Sequence, residues 1–158
     1  MAGQRGVTMK VLLAIDDSEC SQVATTTVIK HIPVKGTSVS VLHVVKPIWY
    51  AGSESLETVE QFEAKHGAAV QRAQQLVARA EHALREAGFE VSSRVADGDP
   101  REVIVEQAEK QKADVIVVGT HGRRGWRRLV LGSVSEAVTR YARCSVHIVR
   151  RSRKAVAI

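Results

Sequence analysis

Two cysteines in 158 residues, Cys20 and Cys144, are too few for a disulfide framework, and they sit at no metal-ligand spacing. They read as small semi-buried apolar residues, so cysteine chemistry drops out. No apolar run approaches the ~20 residues of a membrane-spanning helix, and Met1 to Lys10 lacks the apolar core of a secretory signal. A cytoplasmic location is the expectation. The chain also has no G-x4-G-K-S/T loop, so the lysine that would contact β and γ phosphates is missing from its usual place. Acidic residues are scarce in one region only. Residues 119–158 hold ten Lys and Arg against one Glu, a balance of +9, whereas residues 1–118 hold 13 against 16, a balance of −3. Such a block attracts an anion, whether nucleotide phosphate, nucleic acid, lipid headgroup or acidic partner. A nucleic-acid or acidic-partner module is therefore one reading, but the block lacks the interleaved aromatics on which single strands stack.

What is present is enough apolar content, 44%, for one ordinary domain with its own core. Residues 1–9 and 152–158 read as flexible tails around a domain spanning 10–151. Lys10 to Ile15 (KVLLAI), Val39 to Val45 (VSVLHVV), Asp114 to Val118 (DVIVV) and Ser145 to Arg150 (SVHIVR) are short apolar runs of the kind buried in parallel sheets, and Phe89, Val91 and Val95 mark a further strand. Between them lie helical patterns. Val23 to His31 follows the capping residues Asp16, Asp17 and Ser18, with Asp17 favoured as the cap. Val59 to Ala87 is the longest helix and stops at Gly88. Asp99, Pro100 and Glu102 supply a cap, a first-turn proline and a capping-box acid for a helix to about Lys112, and Ser133 to Tyr141 is a short last helix. Pro47 to Glu57 is a polar loop that could act as a lid. Regular alternation of strand and helix predicts an α/β single domain, an open parallel sheet with helices on both faces. Ligands of such sheets bind beyond the carboxyl ends of the strands, at the point where the winding reverses.

One of those strand ends carries the chemistry. Gly119-Thr-His-Gly122 leaves the fourth strand, and nine residues later Gly132-Ser133-Val134-Ser135 opens a helix. Glycine lets backbone approach a ligand, free amides at a helix start attract anions, and hydroxyls there can donate to phosphate. Arg123, Arg124, Arg127 and Arg128 bring guanidinium forks to the same loop. The same residues also suit an ordinary helix cap and a solvated loop, so the feature alone leaves both readings open. His121 has no acid or nucleophile at a recognisable spacing and reads as a polar loop residue rather than a base. His43 reads as a core or sheet residue.

The combination of KVLLAIDDSE, LHVV, DVIVVGTHGRRG and GSVSEAV with the closing CSVHIVRR resembles the universal stress protein family, in its ATP-binding branch. The spacing G-x2-G-x9-G-S is that family's ATP-binding signature, met here without a gap. The resemblance implies a five-stranded Rossmann-like sheet in the order 3-2-1-4-5. It implies that Asp16 contacts the adenosine part, that Val44 holds the adenine edge through its backbone, and that Gly119 and Gly122 border ribose and phosphates. Gly132, Ser133, Val134 and Ser135 would hold the phosphate chain, Ala14, Gly98 and His121 would line the pocket, and Mg2+ or Mn2+ would accompany the phosphates. It further implies a homodimer formed by pairing of the last strands, Ser145 to Arg150, and a role as a stress-response regulator or nucleotide-dependent sensor. Nothing supplies a residue to position an attacking water, so binding is expected rather than turnover, with slow ATP hydrolysis as the alternative. Asp16 could also serve only to cap the first helix.

Overall fold

The computed structural model describes residues 9–47, 58–120 and 131–150. The expected flexible tails apart from Met9, which instead opens the first strand, the Pro47 to Glu57 lid from residue 48 onward, and residues 121–130 of the arginine-rich loop lie outside the described residues.

Nine elements alternate along the chain. They are β1 (Met9–Ala14), α1 (Glu19–His31), β2 (Thr37–Val45), α2 (Val59–Glu86), β3 (Glu90–Asp97), α3 (Pro100–Gln111), β4 (Val115–Gly119), α4 (Ser133–Tyr141) and β5 (Ser145–Val149). The strands form one parallel sheet in the order β3-β2-β1-β4-β5. Side chains alternate between its faces, and the apolar runs of β1 and β4 have no polar side because both faces are covered. Val11, Leu13, Val39, Val41 and Val117 pack under α1 and α2 with Ala24, Val28, Val77 and Leu84. Leu12, Ala14, Leu42, Val44, Ile116 and Val118 pack under α3 and α4 with Ile104, Ala108 and Val138.

The caps follow local chemistry, with two departures from expectation. Thr58 and Gln61 form a reciprocal capping box at the start of α2. In α1 the cap is Ser18 rather than Asp17, because its hydroxyl is placed to accept from the Ser21 amide, and the helix consequently starts four residues before Val23. At α3, Asp99 accepts from the Arg101 amide and is also gripped by the Arg101 guanidinium, which holds its carboxyl below the ordinary aspartate range. Glu102 makes no reciprocal capping bond there. The strands also differ slightly from their apolar runs. Met9, Thr37 and Ser38 join the sheet because Met9 pairs with Thr37 and Lys10 with Ser38, and β3 carries exposed Ser92, Ser93 and Arg94 because it is an edge strand.

The winding reverses beside β1. The chain leaves β1 through α1 on one face toward β2, and leaves β4 through α4 on the other face toward β5. The crevice between the carboxyl ends of β1 and β4 is thus the expected ligand position.

Candidate functional site

β1 ends abruptly at this crevice. Ile15 still donates its N–H to the Leu42 carbonyl at 2.9 Å, but its own carbonyl faces the His43 imidazole, with Nδ1 at 2.8 Å. The chain then turns. Asp16 Oδ1 accepts from the Ser18 amide at 3.0 Å and from Ser21 Oγ at 2.7 Å, while the Asp16 amide donates to Ser21 Oγ at 2.8 Å. Ser21 is buried. This small network fixes a half-buried carboxylate at the strand end, and among the described residues Oδ2 accepts no hydrogen bond. Asp16 therefore organises the entry to α1 with one oxygen and keeps the other available.

Beside it, β2 runs on past the last paired residue of β1. In a parallel ladder the peptide groups of alternate residues point to alternate neighbours. Leu42 faces β1, so Val44 does too, but the β1 register stops at Ala14 opposite Leu42. Among the described residues the Val44 N–H and C=O have no partner on that side. A donor and an acceptor two atoms apart along one chain edge match the N1 acceptor and N6 amino donor of adenine.

The exit of β4 is built differently. Thr120, buried, donates its amide to the Val149 carbonyl, and its own carbonyl accepts from the Gly132 amide at 2.8 Å and from Ser135 Oγ at 2.9 Å. These bonds bring the two glycine-flanked ends of the loop together and place the start of α4 at the crevice. Gly132 occupies the N-cap position with no side-chain cap bond, so the first amides of α4 are left without a capping side chain. The Ser135 hydroxyl has one proton, already directed at Thr120 and Gly132 carbonyls, so its side chain closes the loop and its amide is the group open to a phosphate. Gly119 answers to packing. A Cβ there would stand 2.8 Å from Cys20 Cβ and 3.2 Å from the Cys20 carbonyl carbon, since the first turn of α1 lies on the end of β4. Gly119→Ala is accordingly expected to lower stability by about 1–3 kcal/mol, read as a fall in the denaturant midpoint at unchanged slope.

Of the residues expected at the site, Ala14, Val44 and Val134 pack within one apolar cluster on the α3/α4 face. Gly98, directly after β3, lies against Val103 of the same cluster. Its φ of 140° is open to glycine alone, its amide donates to the Val45 carbonyl, and an added Cβ would meet Val103 Cγ2 at 2.7 Å. Asp16, Gly119, Gly132, Ser133 and Ser135 lie at the same carboxyl edge of the sheet. His121, Gly122, Arg123, Arg124, Arg127 and Arg128 lie outside the described residues. Arg140 pairs with Glu136 and Arg143 with Glu109, so part of the basic block is already neutralised within the fold. Cys20 and Cys144 are free and half-buried, and burial raises the Cys144 thiol above its ordinary value. A cleft of about 520 Å3 lies at the opposite, amino end of the strands, lined by Lys10, Ser38, Glu90, Ser92 and Lys110. It is an uncovered patch of sheet beside α3, away from the crevice. The sequence does not point to Ser21 or Thr120, whereas His43 lies in β2 as the sheet residue expected. Ser21, in the first turn of α1, and Thr120, directly after β4, are polar residues that burial and bonding reveal.

The profile of the Universal stress protein family matches residues 8–150. The chain belongs to this family. Universal stress protein MJ0577 of Methanocaldococcus jannaschii is 28% identical over 159 residues, which covers 90% of this chain and 94% of that protein. Its solved structure superimposes with a TM-score of 0.81 over 94% of this chain and 99% of the other. Universal stress protein MJ0531 of the same organism is 40% identical over 81 residues, 51% of this chain, and that match spans 48% of the relative's length. A universal stress protein family member from Arabidopsis thaliana with AMP bound shares the fold at a TM-score of 0.66 and 19% identity, covering 91% of this chain and 92% of the other. Family structures in complex with cAMP and, from Archaeoglobus fulgidus, with dAMP share it at TM-scores of 0.67 and 0.63, with 23% and 20% identity. These cover 92% and 90% of this universal stress protein, and 98% or more of each of those chains. Its sheet order is the one the resemblance implied. No helix among the described residues is long and apolar enough to cross a membrane.

Proposed function

We propose that this universal stress protein binds an adenine nucleotide, ATP, in the crevice between β1 and β4, and that its nucleotide-bound state is read by other proteins in a stress response. The observation that carries the proposal is the start of α4, a helix N-terminus without a side-chain cap, held at the switch point by Thr120. Three features support the adenosine half. Val44 presents an unpaired peptide edge, Asp16 keeps an oxygen open toward a ribose hydroxyl, and relatives of the same fold hold AMP, cAMP or dAMP. No group of three or more His, Cys, Asp or Glu converges among the described residues. A Mg2+ or Mn2+ ion entering with ATP would be held through phosphate oxygens and water, the usual habit of Mg2+.

Homodimer formation through the outer edge of β5 is part of the same reading, because that edge has no strand partner among the described residues and Val146 and Ile148 on it are half-buried. Mass spectrometry of the small molecule that copurifies with the full chain tests the ligand. AMP, ADP or ATP is expected, and recovery of a non-adenine ligand would count against the site. Turnover is a separate question that labelled phosphate release answers.

A further inference from the structure

From the geometry at the end of β1 we infer that His43 is a positioning residue for the nucleotide site, holding the Ile15 carbonyl away from the Val44 amide so that Val44 stays free for adenine. The inference rests on the proposed adenine nucleotide site and adds a device that keeps it open.

Ile15 N–H donates to Leu42 O, and in a parallel pair the carbonyl of that same residue accepts from the amide two residues further along the partner, here Val44. That bond is absent among the described residues. The Ile15 carbonyl is instead 2.8 Å from His43 Nδ1, which lies between the two residues in question. A carbonyl only accepts, so Nδ1 is the donor and carries the proton in this contact. The imidazole thus replaces the next rung of the sheet. One consequence is that β1 leaves the ladder at Ile15, one residue before Asp16, whose amide and Oδ1 are both taken up by Ser21. The other is that the Val44 edge remains unpaired. Without the imidazole, the Ile15 carbonyl, on a residue only 7% exposed, would need another donor, and the nearest in the ladder is the Val44 amide. The free base edge and the strand exit therefore depend on one side chain, a half-buried histidine in a strand that is otherwise apolar at Val41, Leu42, Val44 and Val45.

The test compares wild type, His43→Phe and His43→Asn, all as full chains confirmed folded by circular dichroism. Phenylalanine keeps the ring and removes the donor. Asparagine places an amide nitrogen where Nδ1 was and can restore the bond. His43→Phe is expected to bind AMP about tenfold more weakly, the effect of roughly one hydrogen bond, and His43→Asn to recover most of that loss. Equal affinity in all three, or Asn as weak as Phe, overturns the inference. Amide exchange gives a second reading that needs no ligand. The Val44 amide exchanges readily in nucleotide-free wild type and becomes protected in His43→Phe as the ladder closes. Unaltered exchange also overturns it. Failure of wild type to bind any adenine nucleotide would instead remove the proposed function, with the exchange result still deciding the role of His43.

Discussion

Asp16→Ala is expected to weaken ATP binding by about 10- to 100-fold while leaving the chain folded. A charged acceptor facing a hydroxyl is worth roughly 1.5–3 kcal/mol, and each 1.4 kcal/mol is tenfold in affinity. The carboxylate is fixed before any ligand arrives, because Oδ1 is bonded to the Ser18 amide and the Ser21 hydroxyl, so little ordering remains to oppose the contact through Oδ2. Alanine also releases those two donors and loosens the entry to α1. Asp16→Asn separates the effects, since its oxygen can replace Oδ1 while the charge and the second acceptor are lost. If Asn weakens ATP as Ala does at an unchanged thermal midpoint, the residue serves the ligand. If Ala lowers affinity and midpoint together while Asn changes neither, Asp16 is a helix-entry residue alone.

The second large effect concerns the phosphates. Ser133 is the first residue of α4, and Gly132 before it has φ −63° and ψ 154°. That extended conformation is the one required of a residue preceding proline, and the first helical position accepts proline readily. Ser133→Pro therefore preserves the helix while removing one amide and one hydroxyl from its open end. ATP affinity is expected to fall about tenfold or more, from two lost phosphate contacts of roughly 1 kcal/mol each, whereas adenosine affinity stays the same. Competition titrations with the two ligands read the difference. A parallel loss for adenosine would mean that the start of α4 shapes the pocket rather than holding phosphate.

Much of this was legible in the sequence because the fold uses local signals. The runs KVLLAI and DVIVV have no polar face, as central parallel strands require, and Asp99-Pro100 announces a helix in any context. The loop pattern from Gly119 to Ser135 announces the strand before it and the helix after it, and the family resemblance implies the sheet order. What escaped depends on contacts between distant segments. KVLLAI does not mark where β1 leaves the sheet, because that point is set by His43, 28 residues further on. The sequence offers the Ser135 hydroxyl as a phosphate donor but does not show that it donates to the carbonyl of Thr120, 15 residues away. Gly119 looked permissive for a ligand, and the structure adds that Cys20 fills the space of its missing Cβ. Ser18 took the cap from Asp17 because the hydroxyl, not the preceding carboxylate, reaches the Ser21 amide.

The central claim is that this crevice holds an adenine nucleotide, and calorimetric titration of ATP into the nucleotide-free chain measures it directly. The account predicts saturable binding at one site per chain, competed by AMP and strongly reduced in Asp16→Ala. A folded, nucleotide-free chain that gives no binding with ATP, ADP or AMP would contradict it.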